Sequence, residues 1–180
     1  FSQRCAMGIL VTFDVDGTLI RSAGVDANAL HREAFARAFK EVLGLDTNID
    51  VVQHHGTTDP LILLMVAAHH GIPEETAMTS LPAMKEVMVN HFVQEVARAG
   101  NGLEVLPGVS ETLAHLKDRS IPFGLVTGNL QPIGWAKMDA LALLPLFPEP
   151  RFGGFGSDVC SGNFQEPWRD RAEMIRLAAS

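Results

Sequence analysis

Ile9-Leu10-Val11-Thr12-Phe13-Asp14-Val15-Asp16-Gly17-Thr18 is the stretch whose reading decides the fold. Its first five residues are a compact apolar run, β-branched at Ile9, Val11 and Thr12 and without helical periodicity, which predicts a buried strand. Polar residues follow at once, so Asp14 and Asp16 fall at the strand's carboxyl end, where open parallel sheets place their ligands. Two residues apart, they share one face of a straight strand. Gly17 then allows a sharp turn that swings the second carboxylate towards the first. Two carboxylates and a Thr at a strand tip suit a divalent cation and a phosphate, one Asp attacking phosphorus while the other handles the proton. An Asp-Gly pair alone is an ordinary turn; five specific positions after an apolar strand point to chemistry.

Downstream of this stretch the pattern becomes helical. Over residues 26–42, Leu30, Ala34, Phe35, Ala38, Phe39 and Val42 fall on one stripe, with Arg32, Glu33, Arg37 and Glu41 largely opposite. Asp59-Pro60 predicts a helix start, Asp at the cap and Pro at the first position, running to residue 70 and stopping at Gly71. Ser80-Leu81-Pro82 opens a further helix through Met84, Met88 and Phe92, ending near Gly100. Residues 26–100 therefore read as a helical block inserted after the first strand. The alternation of strand and helix then resumes. A helix over 109–119 follows the Pro107-Gly108 turn, and a buried strand over 121–126 ends in Thr127-Gly128-Asn129. A helix over 131–143, a weaker strand over 151–155 and a final helix over 168–178 complete the chain. The fold class is α/β, a Rossmann-like parallel sheet with an inserted all-helical domain.

Composition narrows the function classes. The chain has 180 residues, 47% of them hydrophobic, which suits one core domain with a modest insertion and excludes a disordered tail. A formal net charge of −7 argues against a nucleic-acid partner, whose surface demands clustered Lys and Arg. The densest apolar run, Leu61 through Ala68, is far short of the roughly 20 residues that cross a bilayer, so no membrane insertion is expected. Cys5 and Cys160 form no CxxC pair, which argues against a disulfide framework or zinc site and favours a reducing intracellular compartment, cytoplasmic or organellar. A first residue of Phe rather than Met implies processing, a fragment or an unseen start, and Arg4 beside a short apolar stretch does not make a transit peptide. His54-His55 and His69-His70 lack metal-ligand spacing and are read as ordinary polar residues.

The stretch Phe13-Asp14-Val15-Asp16-Gly17-Thr18-Leu19-Ile20 resembles the first motif of the haloacid dehalogenase superfamily, and Leu125-Val126-Thr127-Gly128-Asn129 its second. The helical insertion is similar to the cap of the phosphoglycolate phosphatase-like branch. His55-Gly56-Thr57-Thr58-Asp59 resembles that branch's cap segment, and Leu106-Pro107-Gly108-Val109 its re-entry into the core. The resemblance implies a core of residues 8–20 and 105–180 with a cap of 21–104. It implies Asp14 as nucleophile, forming an aspartyl-phosphate, and Asp16 as the acid that protonates the leaving oxygen and then activates water. Thr127, Gly128 and Asn129 bind the phosphoryl group, Thr57, Thr58 and Asp59 set selectivity from the cap, and Asp14 with the Asp16 carbonyl holds Mg2+. An Asp at position 16 separates phosphatases from dehalogenases in the family.

Two departures from the family pattern stand out. The Lys-Pro of the third motif is replaced by Gly156-Ser157-Asp158, and Lys137 is the candidate substitute, a solvated surface Lys being the alternative. No acidic fourth motif follows Asp158, and neither Asp158 nor Asp170 is placed to replace it. In the family's strand order the first strand is central; without the later strands it becomes an exposed apolar edge, an aggregation template rarely left bare. The expectation is that the natural chain continues past Ser180, or that a partner chain or a second copy covers that edge. The reading is thus a magnesium-dependent phosphatase acting on a small phosphorylated metabolite such as 2-phosphoglycolate. The alternatives are an inactive structural or binding subunit and a phosphomutase.

Overall fold

The computed structural model describes residues 9–180; Arg4, Cys5 and Gly8, which entered the reading of the amino terminus, lie outside them. The chain runs through β1 (Val11–Phe13), β2 (Ile20–Ser22), α1 (Ala29–Leu43), α2 (Asp59–His69) and α3 (Glu74–Gln94). It continues through β3 (Leu103–Val105), α4 (Val109–Asp118), β4 (Phe123–Thr127), α5 (Gln131–Ala140), β5 (Gly153–Phe155) and α6 (Trp168–Ala178). The parallel sheet has the order β1-β4-β5, with Val11 opposite Phe123, Phe13 opposite Leu125 and Thr127 opposite Phe155. Every residue of β4 is buried, as a central strand covered on both faces demands. β1 and β5 are the outer strands among the described residues, and Ile9 just before β1 is 67% exposed.

A second, two-stranded sheet pairs β2 with β3 antiparallel, Ile20 opposite Val105 and Ser22 opposite Leu103. The Ala23 N–H donates to Gly102 O (2.8 Å) and extends this pairing at the point where the chain enters and leaves the helical insertion. Three residues per strand are too few to show an alternation, so the sequence does not announce this ribbon.

Two apolar clusters organise the side chains. One lies among α1, α2 and α3, built on Phe35, Phe39, Leu63, Met84, Met88 and Phe92. The other surrounds the parallel sheet, with Leu19, Ile20, Leu113, Phe123, Leu125 and Phe155. α5 belongs to both, giving Ile133 to the first and Met138 to the second, so the helix that follows the β4 loop knits insertion to sheet.

α3 begins at Glu74, well before the Ser80 start expected from the sequence, and Pro82 lies inside it. Glu74 and Glu75 favour the positive end of the helix dipole. Pro82 removes one N–H from the ladder, a local cost outweighed by burial of Ala77, Leu81 and Met84 on the face towards the other helices.

α6 lies directly on β5. A Cβ added at Gly154 would sit 2.0 Å from the Met174 carbonyl oxygen, a backbone atom that cannot turn aside. Gly154→Ala is therefore expected to lift α6 and lower stability by about 2 kcal/mol. Urea denaturation checks this, and an unchanged midpoint would show that the helix shifts without cost.

Candidate active site

The carboxyl ends of β1 and β4 face the helical insertion across a cavity of about 530 Å³. After β1 the chain turns sharply: Gly17 has φ 85, and its N–H donates to Ile20 O at 2.8 Å. Only a residue without a Cβ takes that conformation freely. The turn presents both Asp14 and Asp16 to the cavity.

Each carboxylate has its own cation. Asp14 Oδ1 accepts the Val15 N–H at 2.8 Å, and Oδ2 lies 3.2 Å from Arg171 Nη1. Asp16 receives Lys137 Nζ on both oxygens, at 3.0 and 2.9 Å, and its Oδ2 also accepts from Asn129 Nδ2 at 2.9 Å. Lys137 further donates to Asn129 Oδ1 (3.3 Å), and Thr127 Oγ1 accepts from the Asn129 side chain (2.9 Å). Lys137 is only 1% exposed, so it is a buried member of the site and not a solvated surface residue. Desolvation at the cavity floor raises the Asp16 pKa, but the charge of Lys137 and the hydrogen bonds from Asn129 and Lys137 outweigh it and hold the group below its ordinary value.

Arg171 is the site residue that the sequence reading does not find. It sits on α6, donates through Nε to Gly56 O at 2.8 Å and reaches Asp14 with its other arm. Nothing local separates it from Arg169, which pairs with Glu166 on the surface. The close seating of α6 on Gly154 selects between them.

The cap segment divides. Thr57 lines the cavity, whereas Thr58 is fully buried away from it, and among the described residues its Oγ1 has no hydrogen-bond partner. Asp59 is buried as well, but it lines the cavity. Its Oδ2 accepts the Leu130 N–H at 2.9 Å and meets His31 Nε2 at 3.0 Å, and its own N–H donates to Gly128 O at 2.8 Å. His54 and His55 line the opposite wall. Burial, then the charge of His55, hold His54 below the usual histidine range, against the pull of Asp50. Asp158 and Asp170 serve their own turns, accepting from the backbone N–H of Phe155 and of Ser161.

Asp14 and Asp16, the two residues that the resemblance assigns to a divalent cation, both line the cavity. No group of three or more His, Cys, Asp or Glu side chains suited to a metal occurs among the described residues. Mg2+ commonly binds through one or two carboxylates, completing its octahedron with water and substrate phosphate. Two acidic residues on one cavity fit such an ion in part, with the remainder left to water and substrate.

A parallel sheet whose first strand ends in Asp-x-Asp-Gly-Thr, with Thr127 at the neighbouring strand's end, defines a hydrolase built on a strand-tip aspartate. The family model for haloacid dehalogenase-like hydrolases matches residues 10–174, and the chain belongs to that family. The family model describes a hydrolase. Among solved structures, the fold is similar to CbbY from Rhodobacter sphaeroides in complex with phosphate, at 20% identity and a TM-score of 0.57, covering 95% of this chain and 74% of that one. It is also similar to a hydrolase from Pseudomonas syringae, at 19% identity and a TM-score of 0.57, covering 94% and 71%. A predicted phosphoglycolate phosphatase from Haemophilus somnus is similar at 18% identity and a TM-score of 0.52, covering 94% and 72%. No curated protein sequence matches the chain. These likenesses bear on the fold.

Proposed function

We propose that the protein is a magnesium-dependent phosphatase that hydrolyses a small phosphorylated metabolite of the 2-phosphoglycolate kind through an aspartyl-phosphate. The observation that carries this reading is the pair of strand-tip carboxylates, each held by a separate cation, facing one cavity. An Asp14 oxygen attacks phosphorus as the bond to the leaving oxygen breaks, and Asp16 gives that oxygen its proton. Asp16 then takes a proton from water, which attacks the aspartyl-phosphate and releases orthophosphate with Asp14 restored. Arg171, now on Asp14, and Lys137, buried beside Asp16, supply fixed positive charge to the phosphoryl oxygens, with Thr127, Gly128 and Asn129 forming the loop that receives them. Mg2+, held by Asp14 and the Asp16 carbonyl, would add further positive charge there. Residues 21–104 act as the cap, closing over the substrate from the wall that carries Thr57.

The test is hydrolysis of p-nitrophenyl phosphate by the purified chain with magnesium, alongside EDTA and Asp14→Asn controls. Turnover lost in both controls supports the reading. Turnover that survives Asp14→Asn sinks the aspartyl-phosphate.

A second reading, an inactive binding subunit, draws on the open edge of β1. In either case we infer that a further strand pairs with that edge in the working protein. Light scattering of the purified protein, repeated with a charged residue at Ile9, reports on this: a mass unchanged by Ile9→Lys argues against a second copy on that edge.

A further inference from the structure

The least expected carboxylate in the molecule is that of Asp59. It is buried in the first turn of α2 and lines the cavity, yet its Oδ2 is taken up by two groups from two other elements. One is the backbone N–H of Leu130, which caps α5 at the end of the Thr127-Gly128-Asn129 loop. The other is His31 of α1, itself wedged against Phe35 (ring centroids 5.1 Å apart) and edge-on to Phe92. Both meet the same carboxylate oxygen, His31 through its Nε2 at 3.0 Å. The Asp59 N–H meanwhile donates to Gly128 O, so one residue of the insertion grips the β4 loop through both backbone and side chain.

The loop is held from the other side as well, since the Gly156 N–H donates to the carbonyls of Thr127 and Asn129. Pinned between these two, Asn129 directs its side-chain amide onto Asp16 and Thr127. The path is continuous: His31 orients Asp59, Asp59 fixes the loop at Gly128 and Leu130, and the loop fixes Asn129 against Asp16. We propose that Asp59 is a positioning residue through which the helical insertion sets the phosphate-binding loop and Asp16, with His31 holding its carboxylate in place. This gives the cap segment a role other than touching the substrate. It rests on the phosphatase reading for its kinetic consequence only.

Displacement of a reacting group by about 1 Å can cost on the order of 100-fold in rate. The experiment compares wild type, Asp59→Ala, Asp59→Asn and His31→Ala by thermal melting, kcat and KM for p-nitrophenyl phosphate, and the dissociation constant of orthophosphate by calorimetry. Folded Asp59→Ala is expected to lose between about tenfold and 100-fold in kcat with KM changed much less. Asp59→Asn, with its amide oxygen in the Oδ2 position, still offers that oxygen to the Leu130 N–H and to His31 Nε2, and should recover most of that loss. A group that merely stabilised α2 would lower the melting temperature without this split or this rescue.

Wild-type kcat in a folded Asp59→Ala overturns the proposal. If Asp59→Ala does not fold, His31→Ala decides: a several-fold fall in kcat supports the proposal, and an unchanged kcat overturns it. If wild type binds orthophosphate without turnover, the catalytic reading fails separately, and weakened or unchanged phosphate binding in the variants decides this one. If wild type neither turns over nor binds phosphate, both fall.

Discussion

Asp16→Ala is expected to destabilise the protein by about 3 kcal/mol, and a second substitution, Lys137→Met, is expected to restore most of the loss. The reason lies in what Asp16 leaves behind. Lys137 is buried, and its partners are the two Asp16 oxygens and Asn129 Oδ1. Removing the carboxylate strands an ammonium in a site with one neutral acceptor, and breaking a buried pair from one side typically costs about 3–5 kcal/mol. The lower end applies because the Asp16 side chain is 41% exposed and opens onto the cavity, so water can reach part of the space it vacates. Methionine matches the length of the lysine stem and needs no partner. Denaturant titration of the two single variants and the double closes a thermodynamic cycle. A double variant no more stable than Asp16→Ala would show that the stranded charge is not the cause.

The pH dependence of the same pair follows from its direction. The folded-state pKa of Asp16 lies below its unfolded value, so its contribution is present above the unfolded pKa and is lost as pH falls through the folded one. The loss belongs to acid solution below the ordinary carboxylate range.

In the second expected result, Asp16→Asn slows phosphoryl transfer from an alkyl phosphate by about 10²–10⁴-fold, and from p-nitrophenyl phosphate far less. An alkoxide must be protonated as it leaves, whereas nitrophenolate departs unaided. Measuring only the first step, in a single turnover, keeps the later activation of water out of the comparison. In the resting structure Asp16 is ionised and turned to Lys137 and Asn129, so the proposed mechanism requires bound substrate to loosen that grip before Asp16 can donate a proton. Equal losses on both substrates would assign Asp16 to charge stabilisation and not to proton transfer.

Much of this was legible in the sequence because it is local. The apolar run before Asp14, the turn at Gly17 and the polar tip of β4 depend on a few contiguous residues whose preferred backbone and burial agree. Those stretches place Asp14, Asp16 and Thr127 at strand ends before any tertiary contact is considered. α6 is equally plain, since its stripe is periodic from Trp168 to Ala178. Where local preference and packing disagree, the sequence misleads: Pro82 suggests a helix start, yet the helix runs through it because its buried face is continuous from Ala77 to Met88.

Contacts between residues far apart in the sequence leave no such trace. The sequence by itself determined the α/β class, the two strand-tip aspartates and the family to which the chain belongs. Tertiary structure alone decided that Arg171 and not Arg169 reaches Asp14, that Lys137 is buried against Asp16, and that the Asp59 carboxylate meets Leu130 and His31. The physical reason is common to all three. A charged side chain is drawn to whichever opposite charge or unpaired donor the packing of helices on the sheet brings near it. That packing is set by shape, as where α6 settles on Gly154, and not by the identity of the charged residue.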